Sequence, residues 1–259
     1  MRHRKQNCQK LSVIFPDCKI IRVEQTTSTN CHLLRLSEKE QLPEGSIVVT
    51  DNQTCGRGVG GNSWESQQGA NLNLSIILYP TSVKASEQFI LSKAISLAVY
   101  DFLSKHLTSG VSVKWPNDVY VAEKKITGIL IENFICGECV TKTIAGIGIN
   151  INQERFVSEA PNPVSLKQLT GKTYNLEKCL QTLHSCIAER YRIIMKDADS
   201  INSDYLQHLY RFGEPHQYIA NGKVFEAVIT GVNHYGMLEM TTTNGENRVF
   251  GFKEVSWMS

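Results

Sequence analysis

The order of apolar and polar positions predicts both strands and helices in the first 212 residues. Apolar runs of strand length occupy residues 46–50, 72–79, 111–115, 126–135 and 141–151, and short runs of this kind are typical of buried strands. Residues 87–107 carry apolar side chains at helical spacing, which predicts a core helix. A longer helix is predicted after Asn175, with shorter helices after residues 28–30 and over residues 204–212. These elements together predict an α+β fold, a mixed β-sheet flanked by helices.

The pattern changes near residue 213. Residues 216–259 consist of β-rich runs separated by the turn dipeptides NG at 221, YG at 235 and NG at 244. No helical period is present in this segment, so it predicts a small module resembling a β-barrel. We therefore divide the chain into residues 1–212, of which 1–21 are an N-terminal extension, and residues 213–259.

Composition narrows the function only slightly. The 259 residues are 41% apolar with a formal net charge of +2, which is ordinary for a globular protein. No excess of either charge indicates a nucleic-acid or membrane partner. No apolar run approaches the roughly 20 residues that a membrane span needs. The sequence is expected to be that of a soluble, cytoplasmic protein.

Cysteine and histidine do not form a recognisable metal site. The chain has eight cysteines, and Cys136 and Cys139 form a CxxC across an expected hairpin turn. A structural zinc site would need a second such pair, so we expect reduced, structural cysteines. The seven histidines are scattered, and we expect His106 and His184 to be surface residues or to have their hydrogen bonds satisfied.

The loop CGRGVGGNSW, residues 55–64, matches two phosphate-binding patterns without meeting their structural conditions. A dinucleotide-binding GxGxxG must be followed by a helix, and residues 62–73 are polar and lead to a strand. A Walker A loop requires lysine where Asn62 stands. What remains is a glycine-rich backbone able to surround an anion, with Arg57 as a permanent cation and Trp64 as an apolar face. A flexible surface turn is the alternative.

A second cluster begins with KWPND at residues 114–118. Asp118 follows the predicted strand on a turn, and Lys125 returns seven residues later at the start of the next strand. Lys114, Asp118 and Lys125 are therefore expected to converge as two cations and one carboxylate. A solvated, charged β-turn is the alternative.

Several motifs in fixed order resemble one family. They are Ser28-Thr29-Asn30, QTCGRG at residues 53–58 with NSW and GANLNLS after it, KWPNDVYV with KITGILIE, GIGININ at 146–152 and VSLKQLTGK at 164–172. Together these motifs resemble the biotin protein ligases, and the resemblance covers about residues 22–259. It implies a catalytic domain of the biotin/lipoate ligase type followed by a small SH3-like β-barrel.

The resemblance also implies the reaction. Such an enzyme uses ATP and Mg²⁺ to convert biotin to biotinyl-5'-AMP. It then transfers biotin to a lysine of a biotin carboxyl carrier protein domain in a biotin-dependent carboxylase. The acceptor lysine has a free pKa near 10.4 and must lose a proton before it attacks.

The residues that the resemblance assigns fall into three sets. Arg57, Lys125 and Asp118 are expected to act in catalysis, the two cations on developing negative charge and Asp118 on the acceptor amine. Biotin is expected to contact Ser28, Thr29, Asn30, Gln53, Gly56, Arg57, Gly58, Lys125 and Gly128. The nucleotide is expected to contact Trp64, Lys114, Asn117 and Asn150. No metal ligands are assigned.

This sequence departs from the family in its loop. The family loop often reads GRGRRGR, whereas Val59, Gly60 and Asn62 stand in three of those places here. Fewer cations are expected to hold the adenylate less tightly, unless another residue such as Lys124 supplies the charge. Some relatives also carry an N-terminal winged helix of about 60 residues, but only 27 residues precede Ser28. We therefore expect no specific DNA binding by that route.

Two other functions stay open at this stage. A lipoate or octanoate ligase or transferase would share the fold and also load a lysine, although the KWPND motif and the GRG loop argue against it. A biotin-binding protein that has lost catalysis is the second, although Arg57, Lys114, Asp118 and Lys125 are all present. The identity of the acceptor carboxylase and the choice between monomer and homodimer cannot be read from the sequence.

Overall fold

The computed structural model describes residues 5–7, 14–158 and 162–258. In chain order, the first ten strands are β1 (Lys5–Asn7), β2 (Lys19–Thr26), β3 (Ile47–Gln53), β4 (Gly56–Arg57), β5 (Ser63–Trp64), β6 (Leu72–Leu78), β7 (Val111–Lys114), β8 (Asp118–Val121), β9 (Lys124–Cys136) and β10 (Cys139–Ile149). Strands β4 and β5 form a short hairpin in the glycine loop. The other eight form one sheet in the order β1-β2-β3-β6-β10-β9-β8-β7, in which only the β2–β3 pair is parallel. The larger sheet is therefore mixed, as the sequence predicts.

Helices cover both faces of this sheet. The helices are α1 (Thr29–Lys39), α2 (Phe89–Ser104), α3 (Leu166–Thr170), α4 (Leu176–Ile194) and α5 (Ala198–Gln207). Every residue of the central strand β6 is buried, because the two faces belong to different apolar clusters. Ile77 packs with Leu33 of α1 on one face, whereas Leu74 and Ile76 pack in the cluster that contains α2 and α4 on the other. The middle of the sheet is thus buried on both sides.

A second, smaller sheet follows α5. Its antiparallel strands are β11 (Pro215–Ala220), β12 (Lys223–Val232), β13 (Leu238–Thr242), β14 (Asn247–Phe250) and β15 (Ser256–Trp257), in the order β14-β13-β12-β11-β15. The sheet fits the expected SH3-like module, but β14 and β15 do not pair, so it is not closed into a barrel in the described part of the chain. The boundary between residues 212 and 213 stays a prediction.

Polar contacts from Trp115 and Lys93 help attach this smaller sheet to the larger part of the protein. The indole nitrogen of Trp115 donates to the Gly236 carbonyl oxygen at 2.8 Å. The buried ammonium of Lys93 on α2 donates to the Val232 carbonyl and to Asn202 Oδ1, each at 2.9 Å. Because Trp115 lies between Lys114 and the rest of the KWPND segment, the smaller sheet is held directly against the second predicted cluster.

Most of the predicted elements are confirmed, but the predicted position of one helix is wrong. The Asn175 side chain caps α4 as predicted, by accepting from the Lys178 amide. The helix expected over residues 204–212 lies instead at Ala198–Gln207, capped by Asp197. The chain then leaves the helix because Val113 of β7 exchanges backbone hydrogen bonds with His208 and Tyr210. No helix in the described residues combines the length and the apolar character needed to cross a membrane.

Candidate active site

One pocket of about 550 Å³ collects nearly all the predicted site residues. It lies between the glycine loop, the β7–β9 end of the large sheet and the smaller sheet. Its wall contains Ser28, Thr29, Asn30, Gln53, Arg57, Gly58, Trp64, Lys114, Asn117, Asp118, Lys125 and Gly128. The volume is within the usual range for small-molecule sites. Among the predicted residues, Gly56 and Asn150 do not line it.

The start of α1 forms a polar wall of the pocket. The Gln53 side-chain oxygen accepts from the Thr29 amide at 2.9 Å and from its hydroxyl at 3.2 Å. The buried Ser75 hydroxyl lies 2.7 Å from Thr29 Oγ1 and 2.5 Å from Asn30 Oδ1. Ser28 occupies the N-cap position, yet its side chain makes no capping hydrogen bond. The wall is therefore fixed by a network in which the Ser28 hydroxyl is not used for capping.

Asn30 is fixed from the opposite side by β9. Its amide nitrogen donates to Glu132 Oε2 at 2.7 Å and to the Leu130 carbonyl at 3.2 Å. Gly146 on β10 makes room for this side chain, because a Cβ there would lie 2.3 Å from Asn30 Oδ1. Glu132 and Ser75 were not predicted. They come from strand positions whose only signal is a polar residue within an apolar run.

The glycine loop has the backbone predicted from the sequence, without a following α-helix. No helix follows it, and a single 3-10 turn at Val59–Gly61 leads into β5. Arg57 is the exposed residue of strand β4, with Nη1 3.3 Å from Cys31 Sγ. Gly56 is the partner of Trp64 within the hairpin, and a Cβ there would be 2.4 Å from the Trp64 carbonyl oxygen. Gly56 therefore allows the two short strands to approach, and Arg57 faces the pocket.

Trp64 covers one glycine on each of the neighbouring strands β9 and β10. Gly128 and Gly148 are register partners on β9 and β10. A Cβ at Gly148 would lie 2.3 Å from Trp64 Cε2, and one at Gly128 would lie 3.1 Å from Cε3. The indole nitrogen donates to Asn73 Oδ1 at 3.0 Å. The indole thus rests against bare backbone, and it forms an apolar surface within the pocket.

The predicted convergence of Lys114, Asp118 and Lys125 is present. Lys114 and Asp118 are opposite each other in the β7–β8 hairpin, and Lys125 Nζ lies 2.8 Å from Asp118 Oδ1. Burial raises the pKa of the Asp118 carboxyl, while the ammonium groups of Lys125 and Lys114 act in the opposite direction. A solvated turn is excluded, because the side chains of Asp118 and Lys125 are only 20% and 24% exposed.

Lys114 is enclosed by aromatic rings from both sheets. Its Nζ lies 4.4 Å from the Tyr120 ring centroid, 5.3 Å from that of Trp257 and 5.7 Å from that of Tyr210. These distances are typical of cation–π contacts. Burial lowers the pKa of Lys114, although the Asp118 carboxylate acts in the opposite direction. Trp257 could not be found from the sequence, since it lies far along the chain and carries no motif.

Asn150 follows β10 behind the pocket wall. Its side chain is buried, its backbone amide donates to the Ile126 carbonyl at 3.0 Å, and its backbone carbonyl accepts from the Leu166 amide at 3.1 Å. These bonds connect the end of β10 to β9 and to the start of α3. Its expected contact with a nucleotide stays a prediction.

The described residues contain no cluster of three or more His, Cys, Asp or Glu side chains placed to hold a metal. Two carboxylates line the pocket, and both have protein partners. Asp118 is paired with Lys125, and Glu123 accepts from the Tyr210 hydroxyl and lies 3.4 Å from Arg211. Mg²⁺ is commonly held by one or two carboxylates together with substrate phosphates. Asp118 and Glu123 therefore suit a Mg²⁺ ion that is held partly by the phosphates of a bound nucleotide.

Comparison with known proteins agrees with this geometry. Residues 21–150 match the model of the biotin/lipoate A/B protein ligase family. The bifunctional ligase/repressor BirA of Bacillus subtilis is 30% identical over 213 residues, which are 80% of this chain and 65% of that protein. The biotin--[acetyl-CoA-carboxylase] ligase of Paracoccus denitrificans is 31% identical over 201 residues, 74% of this chain and 81% of that protein.

A solved structure supports the same assignment. The biotin protein ligase from Aquifex aeolicus in complex with biotin and ATP has a TM-score of 0.73 at 26% identity, covering 92% of this chain and 97% of that one. The chain spans only part of its bifunctional relatives, for example 48% of the Bacillus spizizenii protein. The family match nevertheless covers half of the chain and includes the motifs around the pocket. The chain therefore belongs to the biotin/lipoate A/B protein ligase family.

Proposed function

We propose that this protein activates biotin with ATP to give biotinyl-5'-AMP, and then transfers biotin to a lysine of a biotin carboxyl carrier protein domain. The observation that carries the proposal is the convergence of Arg57, Lys114, Lys125 and Asp118 on one pocket whose far wall is polar and fixed. The Aquifex aeolicus relative that was solved with biotin and ATP superposes on 92% of this chain at 26% identity.

The first step requires positive charge, because a carboxylate must approach a triphosphate. A biotin carboxylate oxygen would bond to the α-phosphorus while the bond to the pyrophosphate oxygen breaks. Negative charge builds on the α-phosphate in between, and fixed cations stabilise it. Arg57 from the loop and Lys125 from β9 fill this role. Arg57 suits phosphate especially well because its guanidinium is planar and always charged.

The polar wall is suited to the ring end of biotin. A ureido ring offers both donors and an acceptor, so it needs partners of both kinds. Ser75 orients Thr29, Glu132 orients Asn30, and the Thr29 amide orients Gln53. Preorganised polar groups of this kind reduce the cost of binding. The Ser28 hydroxyl, which is not used in capping, is a further donor for the ring.

The second step requires a neutral amine. The acceptor nitrogen would attack the carbonyl carbon of the adenylate, AMP would leave, and one proton must leave the nitrogen. Asp118 is placed to orient the amine or to take that proton. Its raised pKa makes it a better base than an ordinary aspartate. Its pairing with Lys125 keeps the carboxylate next to the bound anhydride.

Asp118 and Glu123 are the pocket carboxylates that would hold a Mg²⁺ ion brought in with ATP, and the metal would supply further positive charge against the phosphates. The acceptor is proposed to be a carrier domain of a biotin-dependent carboxylase, because the Paracoccus denitrificans relative is named for acetyl-CoA carboxylase. The repressor part of other relatives' names is not carried over to this chain. A cytoplasmic location would supply both ATP and acceptor.

The test is biotin-dependent pyrophosphate release from ATP and Mg²⁺, followed by addition of an isolated carrier domain. We expect pyrophosphate to be released when biotin is present. After the carrier domain is added, mass spectrometry should show biotin on one acceptor lysine. Lipoate and octanoate serve as controls, and release with either in place of biotin would move the protein to the lipoate-specific part of the family. Biotin binding without any release would leave a binding protein that has lost catalysis.

A further inference from the structure

Lys253 connects the smaller sheet to the glycine loop. Its ammonium donates to the Gly60 carbonyl oxygen at 2.7 Å, across 193 residues of sequence. Both Lys253 and Val59, the neighbour of Gly60, line the pocket. The smaller sheet therefore reaches the loop at the point where the family often carries arginines.

The turn that carries Lys253 is held in a defined shape. The Gly251 amide donates to Glu254 Oε2 at 2.6 Å, and the Glu254 amide donates back to the Gly251 carbonyl at 3.2 Å. Lys253 itself has a φ of 68°, a left-handed conformation that non-glycine residues seldom adopt. Uncommon backbone of this kind persists where surrounding contacts impose it, and such residues cluster at functional sites.

The loop is shaped to receive this lysine. Gly60 also has a φ of 68°, so a side chain there would be strained. A Cβ at Gly60 would lie 2.5 Å from Lys253 Cε and 2.9 Å from Phe252 Cε1. Glycine at this position therefore serves both the backbone and the lysine packed against it.

Lys253 has charge available for a ligand. Within the described residues, no carboxylate lies within ion-pair distance of its ammonium. An ammonium has three donors, and the Gly60 carbonyl takes one. Lys124, the replacement considered from the sequence, is exposed and does not line the pocket.

We propose that Lys253 is a phosphate-binding residue of this site, which donates to a phosphate oxygen of ATP and of the adenylate while it holds the loop closed over them. It supplies from the smaller sheet the charge that Val59, Gly60 and Asn62 do not supply from the loop. The proposal rests on the proposed function for the identity of the adenylate, but it requires only that the pocket binds a nucleotide.

The test compares Lys253→Met, Lys253→Arg and Lys223→Met. Lys223 is an exposed lysine of the same sheet, and its substitution controls for a general loss of charge. Lys253→Met is expected to raise the KM for ATP about tenfold, measured by biotin-dependent ATP–pyrophosphate exchange. It should also speed the release of preformed biotinyl-AMP by a similar factor. Both effects follow because the substitution removes a charge-assisted hydrogen bond, which is stronger than a neutral one. Biotin affinity without ATP and the exchange kcat should change little.

Two further readouts separate charge from packing. Lys253→Arg should retain most ATP affinity, and added salt should weaken ATP binding more in the wild type than in Lys253→Met. The proposal would be overturned if Lys253→Met kept the wild-type KM for ATP and the wild-type release rate of biotinyl-AMP. It would also be overturned if Lys253→Arg gave the same results as Lys253→Met in all assays.

Calorimetric titration with ATP alone separates this proposal from the proposed function. If the wild type shows no biotin-dependent exchange but still binds ATP about tenfold more tightly than Lys253→Met, the proposed function fails and the role of Lys253 stands. Equal ATP affinity of the two proteins overturns the role of Lys253, whatever the exchange assay shows.

Discussion

Lys125 holds Asp118 across the β8–β9 hairpin, with its ammonium nitrogen 2.8 Å from Oδ1. The pair joins a cation suited to the first step with a carboxylate suited to the second. We expect Asp118→Asn to slow transfer to the acceptor by a factor of about 10² to 10⁴, which is typical for loss of a general base. Pyrophosphate release should fall far less. Single-turnover measurement of the two half-reactions checks this, with the exposed Asp17→Asn as control.

The same pair predicts a pH dependence of transfer. The pKa of Asp118 is raised above its ordinary value of 3.8 by burial. As pH falls through that raised value, the carboxylate gains a proton and can no longer accept one, so transfer should slow at a higher pH than an exposed aspartate would impose. The acidic limb of the transfer rate should disappear in Asp118→Asn. If the fall of the transfer rate at acidic pH is unchanged in Asp118→Asn, that fall must come from the titration of another group.

Gly148 is expected to be intolerant of a side chain because of Trp64. A Cβ there would lie 2.3 Å from the indole, so Gly148→Ala must displace the ring. Overpacking of this kind costs about 1–3 kcal/mol, and we expect ATP and biotin affinity to fall in calorimetric titrations. The double variant Gly148→Ala with Trp64→Ala should bind no worse than Trp64→Ala alone, because the clash is gone. Additive losses would contradict this explanation.

A substitution at Val59 can test whether the small number of arginines in the loop weakens the binding of biotinyl-AMP. Its side chain lines the pocket, so an arginine at this position can reach a bound phosphate. We expect Val59→Arg to slow dissociation of biotinyl-AMP severalfold, as one added charge-assisted hydrogen bond would. Filtration of the preformed complex gives the rate, and Val59→Gln controls for side-chain length. Equal rates in the wild type and Val59→Arg would contradict the prediction.

The burial of Lys93 is expected to make the stability of the protein depend on pH. Burial lowers its pKa from 10.5 to about 8, and its side chain is only 3% exposed. Between these values the unfolded chain holds a proton that the folded protein has lost, so stability should rise with pH. From pH 7 to pH 9.5 the gain should be on the order of 2 kcal/mol.

Urea denaturation at the two pH values measures this gain. Lys93→Met should lack it, whereas Lys105→Met, which changes an exposed lysine beyond the same helix, should retain it. Because other groups also titrate in this range, the difference between the wild type and Lys93→Met is the quantity to compare. The same rise in both proteins would show that Lys93 titrates normally.

Local motifs made much of the site predictable. Lys114, Asp118 and Lys125 fall within twelve residues, and two short hairpins bring them together whatever the rest of the chain does. The start of α1 and the glycine loop could be read for the same reason. Gln53 and Thr29 meet because β3 and α1 pack on one sheet, and the family resemblance had assigned both residues to biotin.

The remaining site residues depend on distant parts of the chain. Trp257 and Lys253 reach the pocket only because the smaller sheet packs on α2 and on Trp115, and no periodicity encodes that packing. Ser75 and Glu132 lie on strands where a polar residue has many possible causes. The helix at Ala198–Gln207 was misplaced because its end is set by pairing with β7, a long-range contact.

The close fit between Gly60 and Lys253 has a consequence for how this sequence can change over generations. A Cβ at position 60 would lie 2.5 Å from Lys253 Cε, so a side chain at position 60 and this lysine in the turn compete for the same space. Positive charge can reach this place from position 60 or from position 253, but not from both unless the lysine moves. Two positions 193 residues apart are thus expected to mutate as a pair among descendants of this chain, and a chimaera that joins one lineage's loop to another's smaller sheet would inherit either a collision or a missing charge.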